Sequence, residues 1–425
     1  MAEAPAAPAN SPRRILVASL IGTAIEFFDF YIYATASVLV FPHLFFPASD
    51  PGTATLASLA TFAVAFVARP IGSAVFGHFG DRVGRKATLV AALVTMGVST
   101  VGIGLVPGYA SIGLLAPVLL TVCRFGQGLG LGGEWGGAIL LATENAPPGR
   151  RAWYGMFPQL GAPIGFFCSG VAFLLISRLT TEAQFLAWAW RLPFLASAVL
   201  VGIGLYVRLA LTETPVFRKV LETREQVRVP MVEVVTRHPR ALVLGTVVGL
   251  SIYVDFYLTT VFMLSWGMST LGYARESFLL IQLFGTLFFA AGVPWSARLA
   301  EHGRRRLLVA VNVIMVVYAL LMAPLFEAGA AGTVAAVALG FLCMGLAYGP
   351  IGTVLAELFP APVRYTGSSL AYNLAGIFGA SLAPYAAQWL AARYGLRAVG
   401  YYLAAAALVS LGGLAAIRET RDTAL

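Results

Sequence analysis

Twelve apolar runs of about twenty residues or more divide the chain, and each of them carries few charges. A helix needs about 20 residues to cross the core of a bilayer, and lipid leaves no water to satisfy backbone polar groups. Strands of a membrane barrel would alternate over about 10 residues, which these runs do not. The pattern therefore predicts an all-α membrane protein with twelve transmembrane helices. The predicted spans lie near 15–46, 54–79, 87–106, 112–141, 153–177, 190–211, 241–266, 277–299, 306–325, 333–355, 365–391 and 398–417.

The net charge of +9 would suit a nucleic-acid partner, but its distribution argues against one. If the N-terminus is inside, most of the Lys and Arg residues fall in cytoplasmic segments, as the positive-inside rule requires. We therefore expect a multi-pass protein of the bacterial cytoplasmic (inner) membrane, with both termini in the cytoplasm and no nucleic-acid partner. The apolar run after Arg14 is too long for a signal peptide and is interpreted as the first span.

The chain divides into two predicted halves that look like copies. The motif in which six residues separate a Glu from an Arg occurs at Glu144/Arg151 and again at Glu357/Arg364, and the sequence DFY begins at Asp29 and at Asp255. Such parallel repeats place a substrate site at their interface, near the membrane midplane. The predicted organisation is a disordered tail 1–14, a six-helix half 15–211, a cytoplasmic linker 212–240, a six-helix half 241–417 and a tail 418–425.

A dense charged turn, FGHFGDRVGRKA, lies between the second and third apolar runs. Together with the repeated Glu/Arg motif and LTETP after the sixth run, this turn resembles the signatures of the major facilitator superfamily. The stretches IEFFDFYIY, ARPIGSAVFGHFGDRVGRK, RFGQGLGLGGEWGGA and RYTGSSLAYNLAGIFG further resemble the metabolite:proton symporter family. That family includes permeases for α-ketoglutarate, citrate, shikimate and proline/betaine, and the match covers essentially the whole chain. The resemblance implies the major facilitator fold of two pseudo-symmetric six-helix halves.

Ionisable residues inside the membrane are costly, so each of them needs an explanation. Glu26 and Asp29 are three residues apart and share a helix face, which Tyr33 continues. Arg124 lies deep in the fourth span, and the resemblance implies that Asp29 and Arg124 form the acid–base pair of proton-coupled sugar porters. A proton on Asp29 would then couple to transport, whereas the alternative is a static ion pair. Glu134, in the same glycine-rich stretch as Arg124, either assists the proton path or pairs with a neighbouring helix.

A guanidinium at the middle of the second span is suited to bidentate capture of a carboxylate. Arg69 is therefore our first candidate for substrate contact, and the alternative is a partnership with Glu26 or Asp29. Asp255 departs from the family pattern, and with Tyr253 it could line the second half of the cavity, bind a cationic substrate group, carry a second proton, or simply be paired. The further polar candidates, each of which could equally join two helices, are Tyr33, Gln159, Gln282, Tyr372 and Asn373.

The charged turn and the Glu/Arg repeats are predicted to form a conformational latch at the cytoplasmic face. In the second half, Ala300 stands where the first half has Asp81, so the latch is expected to be carried by the first half around Asp81. The predicted latch residues are Gly77, Asp81, Arg82, Gly84, Arg85, Glu144, Arg151, Glu357 and Arg364.

These features together predict a secondary active transporter rather than an enzyme, because no catalytic constellation, metal cluster or ATP-binding loop stands out in the sequence. We expect proton-coupled uptake of a small carboxylate-bearing or zwitterionic metabolite by alternating access. The alternative on the same fold is a proton-coupled exporter of drugs or metabolites, since fold alone does not fix direction. The expected partners are the substrate, the proton and the lipid bilayer, with no cofactor, and the protein is expected to be a monomer.

Overall fold

Helices account for the architecture throughout the residues that the computed structural model describes, which are 12–47, 51–83, 85–209 and 230–421. Eleven of these helices are long and apolar enough to cross a membrane. The remaining predicted span, 365–391, is present as two shorter helices, Arg364–Gly379 and Ala383–Tyr394. The predicted fold class of twelve helices in two six-helix halves is confirmed.

The spans of the first half are α1 to α6, and a short break at Gly133 and Glu134 divides α4 into two pieces. They are α1 (Pro12–Leu39), α2 (Pro51–Val83), α3 (Arg85–Leu105), α4 (Leu115–Gly132 and Trp135–Glu144), α5 (Arg151–Leu179) and α6 (Leu192–Leu209).

The spans of the second half are α7 to α12, and α7 contains a π-helical turn at Leu258–Phe262. They are α7 (Pro239–Tyr257, the π turn and Met263–Ser269), α8 (Arg275–Ala300), α9 (Arg304–Glu327), α10 (Gly329–Glu357), α11 (Arg364–Gly379 and Ala383–Tyr394) and α12 (Leu396–Ala416).

Helix packing repeats from one half to the other. In the first half α1 packs on α5, α2 on α4, and α3 on α6; in the second half α7 packs on α11, α8 on α10, and α9 on α12. The halves meet where α5 packs along α8 and where α11 packs along α2. The exact boundaries of the tails, halves and linker remain predictions, because 1–11, 210–229 and 422–425 lie outside the described residues.

Glycines let α2 and α4 approach each other closely. A Cβ atom on Gly128 would overlap the backbone oxygen of Ala65 and lie 2.8 Å from the Cβ of Ala68. Gly132 meets the backbone of Arg69 in the same way. Between lipid-embedded helices the hydrophobic effect contributes little, so this backbone contact is a main source of association. The glycine pattern thus fixes the position of Arg69 relative to α4.

We predict that Gly128→Ala lowers the stability of the purified protein by about 1–3 kcal/mol, because overpacking forces the helices apart. Thermal unfolding in detergent, followed by tryptophan fluorescence, measures the effect. Gly202→Ala is the matched control, since a Cβ there meets nothing within 4 Å. Equal unfolding temperatures for the two variants would contradict the role assigned to the α2–α4 contact.

Candidate functional site

A narrow cavity of about 20 Å³ lies between the two halves, which is room for about one water molecule. Arg69 is the only charged residue among those that line it. The other lining residues are apolar or aromatic; three come from the first half and nine from the second. The lining residues are Phe27, Phe30, Tyr31, Arg69, Gly249, Ile252, Tyr253, Phe256, Tyr257, Met344, Tyr348, Ile351 and Tyr372.

Helix α1 presents two different faces, and the acids are not on the one that faces the cavity. Phe27, Phe30 and Tyr31 line the cavity, which is the spacing of one helix face. Glu26 and Asp29 are each 1% exposed and do not line the cavity. The predicted acidic face therefore turns into the first half, away from the place where a substrate would lie.

The Arg69 guanidinium is held between aromatic rings. Its Cζ lies 4.9 Å from the ring centroid of Phe30 and 4.8 Å from that of Phe66. Its NH1 donates to the Tyr253 hydroxyl over 3.4 Å, and its Nε has no hydrogen-bond partner. The predicted alternative, pairing with Glu26 or Asp29, is not found among the ion pairs of the described residues. The guanidinium thus keeps donor capacity for an anion in the cavity.

Asp29 and Arg124 do not form the direct ion pair that the sequence predicted. The Asp29 Oδ2 accepts a 2.7 Å hydrogen bond from the Ser197 hydroxyl on α6. Gln127 connects the two groups instead: it accepts from the Arg124 NH1 at 3.0 Å and donates to the backbone oxygen of Asp29 at 3.3 Å. Arg124 is therefore linked through an amide side chain to the backbone of Asp29 and not to its carboxylate, a contact that no spacing rule in the sequence indicated.

Phe30 lies between the two buried guanidiniums. The Cζ of Arg124 is 4.2 Å from the Phe30 ring centroid and 3.9 Å from that of Tyr33. The Cζ of Arg69 lies 4.9 Å from the same Phe30 ring. Cation–π contacts of this kind stabilise a desolvated cation by about 2 kcal/mol. One ring therefore contacts both the cation in the cavity and the cation near Asp29.

Three of the predicted polar residues make contacts that join the two halves. Gln159 accepts from the Trp135 indole at 3.0 Å and donates to the backbone oxygen of Tyr348 at 2.9 Å. The Trp135 ring stacks on Tyr372, with ring centroids 3.7 Å apart. Asn373 donates to the Ser73 hydroxyl at 2.7 Å. Tyr372 also lines the cavity. Trp135 and Gln159 connect α4 and α5 of the first half to the second half, and Asn373 connects α11 to α2.

Three other predicted site residues lie away from the cavity. Tyr33 donates to the Thr61 hydroxyl at 2.6 Å inside the first half. Gln282 donates to the backbone oxygens of Thr259 and Thr260 at 3.2 and 2.6 Å. Asp255 is fully buried and does not line the cavity, whereas Tyr253, with which it was predicted to line the second half, does. Residues two apart on a helix point in nearly opposite directions, which separates these two side chains.

The repeated Glu/Arg motifs cross between the halves. We call the end of the bundle that carries Arg151 and Arg304 the basic end. There the Arg151 guanidinium of α5 lies 3.8 Å from the Glu357 carboxylate of α10, and Arg304 binds the same carboxylate at 3.0 Å. Arg364 of the second half interacts electrostatically with Glu144 of the first half. Each half therefore offers an acid to the arginine of the other.

Further contacts close the basic end. The backbone N–H of Trp153 donates to the Glu301 carboxylate at 2.9 Å, and the Arg298 Cζ lies 4.8 Å from the Trp153 ring centroid. Glu301 follows the end of α8, in the segment Ser296–Arg306 that was predicted to contribute less than the first half. This segment does make contacts between halves, because its acid is displaced by one position rather than missing.

The opposite end is closed as well. Arg275, at the start of α8, binds the Glu182 carboxylate at 2.8 Å, and its Cζ lies 4.1 Å from the Phe185 ring centroid. Both residues on the first-half side belong to the short helix Glu182–Ala187. Contacts between the halves therefore join both ends within the described residues, and the cavity between them has a volume of about 20 Å³.

The other half of the predicted latch is not tested by the geometry. The side chains of Asp81, Arg82 and Arg85 and the whole of Gly84 lie outside the described residues, as does the environment of Gly77. Glu134 is buried at the break in α4, beside Gly133, whose backbone oxygen accepts from the Tyr365 hydroxyl of the second half at 2.6 Å. The asymmetry around Asp81 and the role of Glu134 remain predictions.

Sequence reasoning missed six of the eight aromatic residues of the wall, all except Tyr253 and Tyr372, and it missed Gln127, which binds Arg124. Phe27, Phe30 and Tyr31 carry a readable signal, since aromatic side chains at i, i+3 and i+4 share one face. Tyr257, Tyr348 and Gln127 carry none, because a lone aromatic or amide in an apolar span is as consistent with helix packing as with a site.

Comparison with known proteins agrees with this architecture. The family model described as Major Facilitator Superfamily matches residues 19–380. The inner membrane metabolite transport protein YhjE of Escherichia coli K12 is 58% identical, over 98% of this chain and 97% of that protein. The shikimate transporter of the same organism is 36% identical, over 94% and 92%. A crystal structure of a D-xylose–proton symporter covers 97% of this chain and 99% of its own, with a TM-score of 0.76 at 18% identity. The chain is thus a multi-pass membrane protein that belongs to the major facilitator superfamily.

Proposed function

We propose that the protein imports a small carboxylate-bearing metabolite together with protons, by exposing the central cavity alternately to the two sides of the membrane. The observation that carries this proposal is the single cation in an aromatic cavity. Arg69 is the only charged lining residue, and its Nε has no partner. A guanidinium binds a carboxylate through two parallel hydrogen bonds, and the interaction is strong where water is excluded.

The cavity wall restricts the rest of the substrate. Eight of the lining residues are aromatic, so they favour an apolar body or a ring, or a quaternary ammonium group that binds to aromatic faces. A second carboxylate would find no second cation there. We therefore infer a monocarboxylate or a zwitterion rather than a di- or tricarboxylate. The relatives described as metabolite and shikimate transporters are in line with a small-molecule substrate.

Coupling to protons is assigned to Asp29, through the contacts that connect it to the cavity. When Asp29 takes a proton it loses its charge, which weakens the hydrogen bond that its carboxylate accepts from Ser197. Gln127 donates to the backbone oxygen of Asp29, so it responds when this part of α1 shifts. Gln127 holds Arg124, and Arg124 shares the Phe30 ring with Arg69. In this proposal protonation changes the position of Phe30, and with it the donors that Arg69 offers to a carboxylate.

We predict that Arg69→Gln weakens the binding of carboxylate ligands by about tenfold to a hundredfold, since a charge-assisted pair contributes about 1.5–3 kcal/mol. Thermal-shift screening of the purified protein with monocarboxylates, dicarboxylates, betaines and aromatic acids measures it. Arg393→Gln, an exposed arginine near the opposite end, is the control. Ligands that stabilise both variants equally would remove Arg69 from the site.

We predict that Asp29→Asn abolishes proton-driven accumulation of the ligand found in that screen but preserves counterflow exchange, because exchange needs alternating access and no net proton movement. Uptake into proteoliposomes under a pH gradient, beside exchange without one, measures both. Ser197→Ala keeps the carboxyl group and should retain accumulation. Full accumulation by Asp29→Asn would contradict the coupling role. Accumulation only in inverted vesicles would instead indicate export.

We predict that Glu357→Gln opens the basic end more than Glu182→Gln opens the opposite end. The Glu357 carboxylate is fully buried against two arginines, whereas 64% of the Glu182 side chain is exposed, and exposed pairs contribute only about 0.2–1 kcal/mol. Distances between spin labels measure this in a cysteine-free background, with one pair at Arg150 and His302 and the other at Leu179 and Ala274. Unchanged distances at the basic end in Glu357→Gln would contradict the clamp.

A further inference from the structure

Asp255 is a buried acid that neither the cavity nor the coupling contacts use. It lies on α7, one turn before the π-helical turn Leu258–Phe262, and its relative exposure is 0%. It is not among the residues that line the cavity. Within the described residues neither of its carboxyl oxygens has a hydrogen-bond partner. A buried acid whose two oxygens have no hydrogen-bond partner is a candidate site for binding a ligand.

The surroundings of Asp255 contain no counter-ion in the part of the chain that the structure describes. The ionisable groups that face it are the Tyr318 hydroxyl of α9 and the Cys343 thiol of α10, both of which are uncharged in their ordinary state. The Thr259 hydroxyl, on the π-helical turn, also faces it without a formed hydrogen bond. Within the described residues, no Lys, Arg or His side chain forms an ion pair with Asp255.

A carboxylate cannot stay charged in such a place. An unpaired buried charge is so unfavourable that the group takes up a proton instead. Protonated Asp255 is neutral and has one O–H to donate, and the Thr259 hydroxyl beside it is the candidate acceptor. We therefore expect Asp255 to be the neutral acid in this conformation.

Asp255 occupies in α7 the place that Asp29 occupies in α1, since both begin a DFY sequence, but their surroundings differ. Asp29 accepts from Ser197 and is connected to Arg124 through Gln127. Asp255 has no cationic partner of this kind among the described residues. The two halves thus hold acids at corresponding positions, and only the first acid has a basic neighbour to which it can respond.

The turn beside Asp255 gives it a way to exchange its proton. A π-helical turn departs from the regular ladder and occurs frequently at functional sites. Here Gln282 of α8 donates to the backbone oxygens of Thr259 and Thr260 in that turn. Helix α8 also packs along α5 of the first half. A movement of one half against the other therefore acts on the turn through α8 and Gln282.

We propose that Asp255 is a second proton-binding site, carried by the second half and separate from Asp29 and from the cavity, and that movement of the π-helical turn exposes it to water. This inference rests on the proposed function, because a transporter that moves protons gives such a site its use. The ligand is the proton itself.

Infrared spectroscopy of the purified protein in liposomes tests the proposal without any transported substrate. We expect a carboxylic-acid C=O band that shifts in D₂O, disappears as the pH is raised, and is missing in Asp255→Asn. Asp29→Asn is the matched control and should keep this band. Thr259→Val should keep it at a shifted frequency, because the acid loses one acceptor.

Three results would overturn the proposal. The first is a spectrum of Asp255→Asn that lacks no band of the wild-type protein. The second is a band that responds neither to D₂O nor to pH, which would make Asp255 a permanently sealed acid. The third is a band that a sodium salt removes and a choline salt does not, which would assign the site to sodium. If Asp255→Asn does not fold, Asp255→Glu replaces it in the test. The glutamate keeps a carboxylic acid, so the C=O band should change frequency instead of disappearing. A failure of the Asp29→Asn transport prediction would leave this outcome unaffected.

Discussion

The apolar interior of the bundle is the constraint on which the arrangement of its charges depends. Each ionisable group there must be neutral, paired or held by oriented polar and aromatic groups. Arg69 and Arg124 meet this requirement with aromatic faces rather than with carboxylates: Phe30 contacts both guanidiniums, and Phe66 and Tyr33 each contact one. Because no acid among the described residues forms an ion pair with Arg69, the cavity keeps a positive charge, which supports the proposal of a carboxylate ligand.

Asp29 and Asp255 both lie away from the cavity, so neither acid contacts a substrate bound there. Asp29 turns into the first half and Asp255 into the second, while the aromatic face of α1 and Tyr253 of α7 form the wall. Neither acid lines the cavity, so in the proposed mechanism a proton acts on the substrate through helix positions and through the side chains between, such as Gln127 and Phe30.

The repeat explains the closure of the basic end. A motif that occurs once in each half, and is brought to the interface by the pseudo-twofold relation, gives the two crossed interactions of Arg151 with Glu357 and Arg364 with Glu144. The opposite end, closed by the more exposed Arg275–Glu182 pair, is held by a weaker kind of contact. The basic end is thus held by a buried carboxylate and the opposite end by an exposed pair.

The sequence by itself determined the class, the twelve spans and the candidacy of Arg69, because run length, charge asymmetry and the cost of a buried cation are local properties. Only the tertiary structure decided that Asp255 and Gln282 face away from the cavity, that Gln127 links Arg124 to the backbone of Asp29 and not to its carboxylate, and that aromatic residues form the wall. The physical reason is helix rotation: an apolar span in lipid shows little contrast between its faces, so side chains acquire a direction only when neighbouring helices pack. The break in α11 and the π-helical turn in α7 belong to the same group, since both are settled by contacts between helices rather than by local preference.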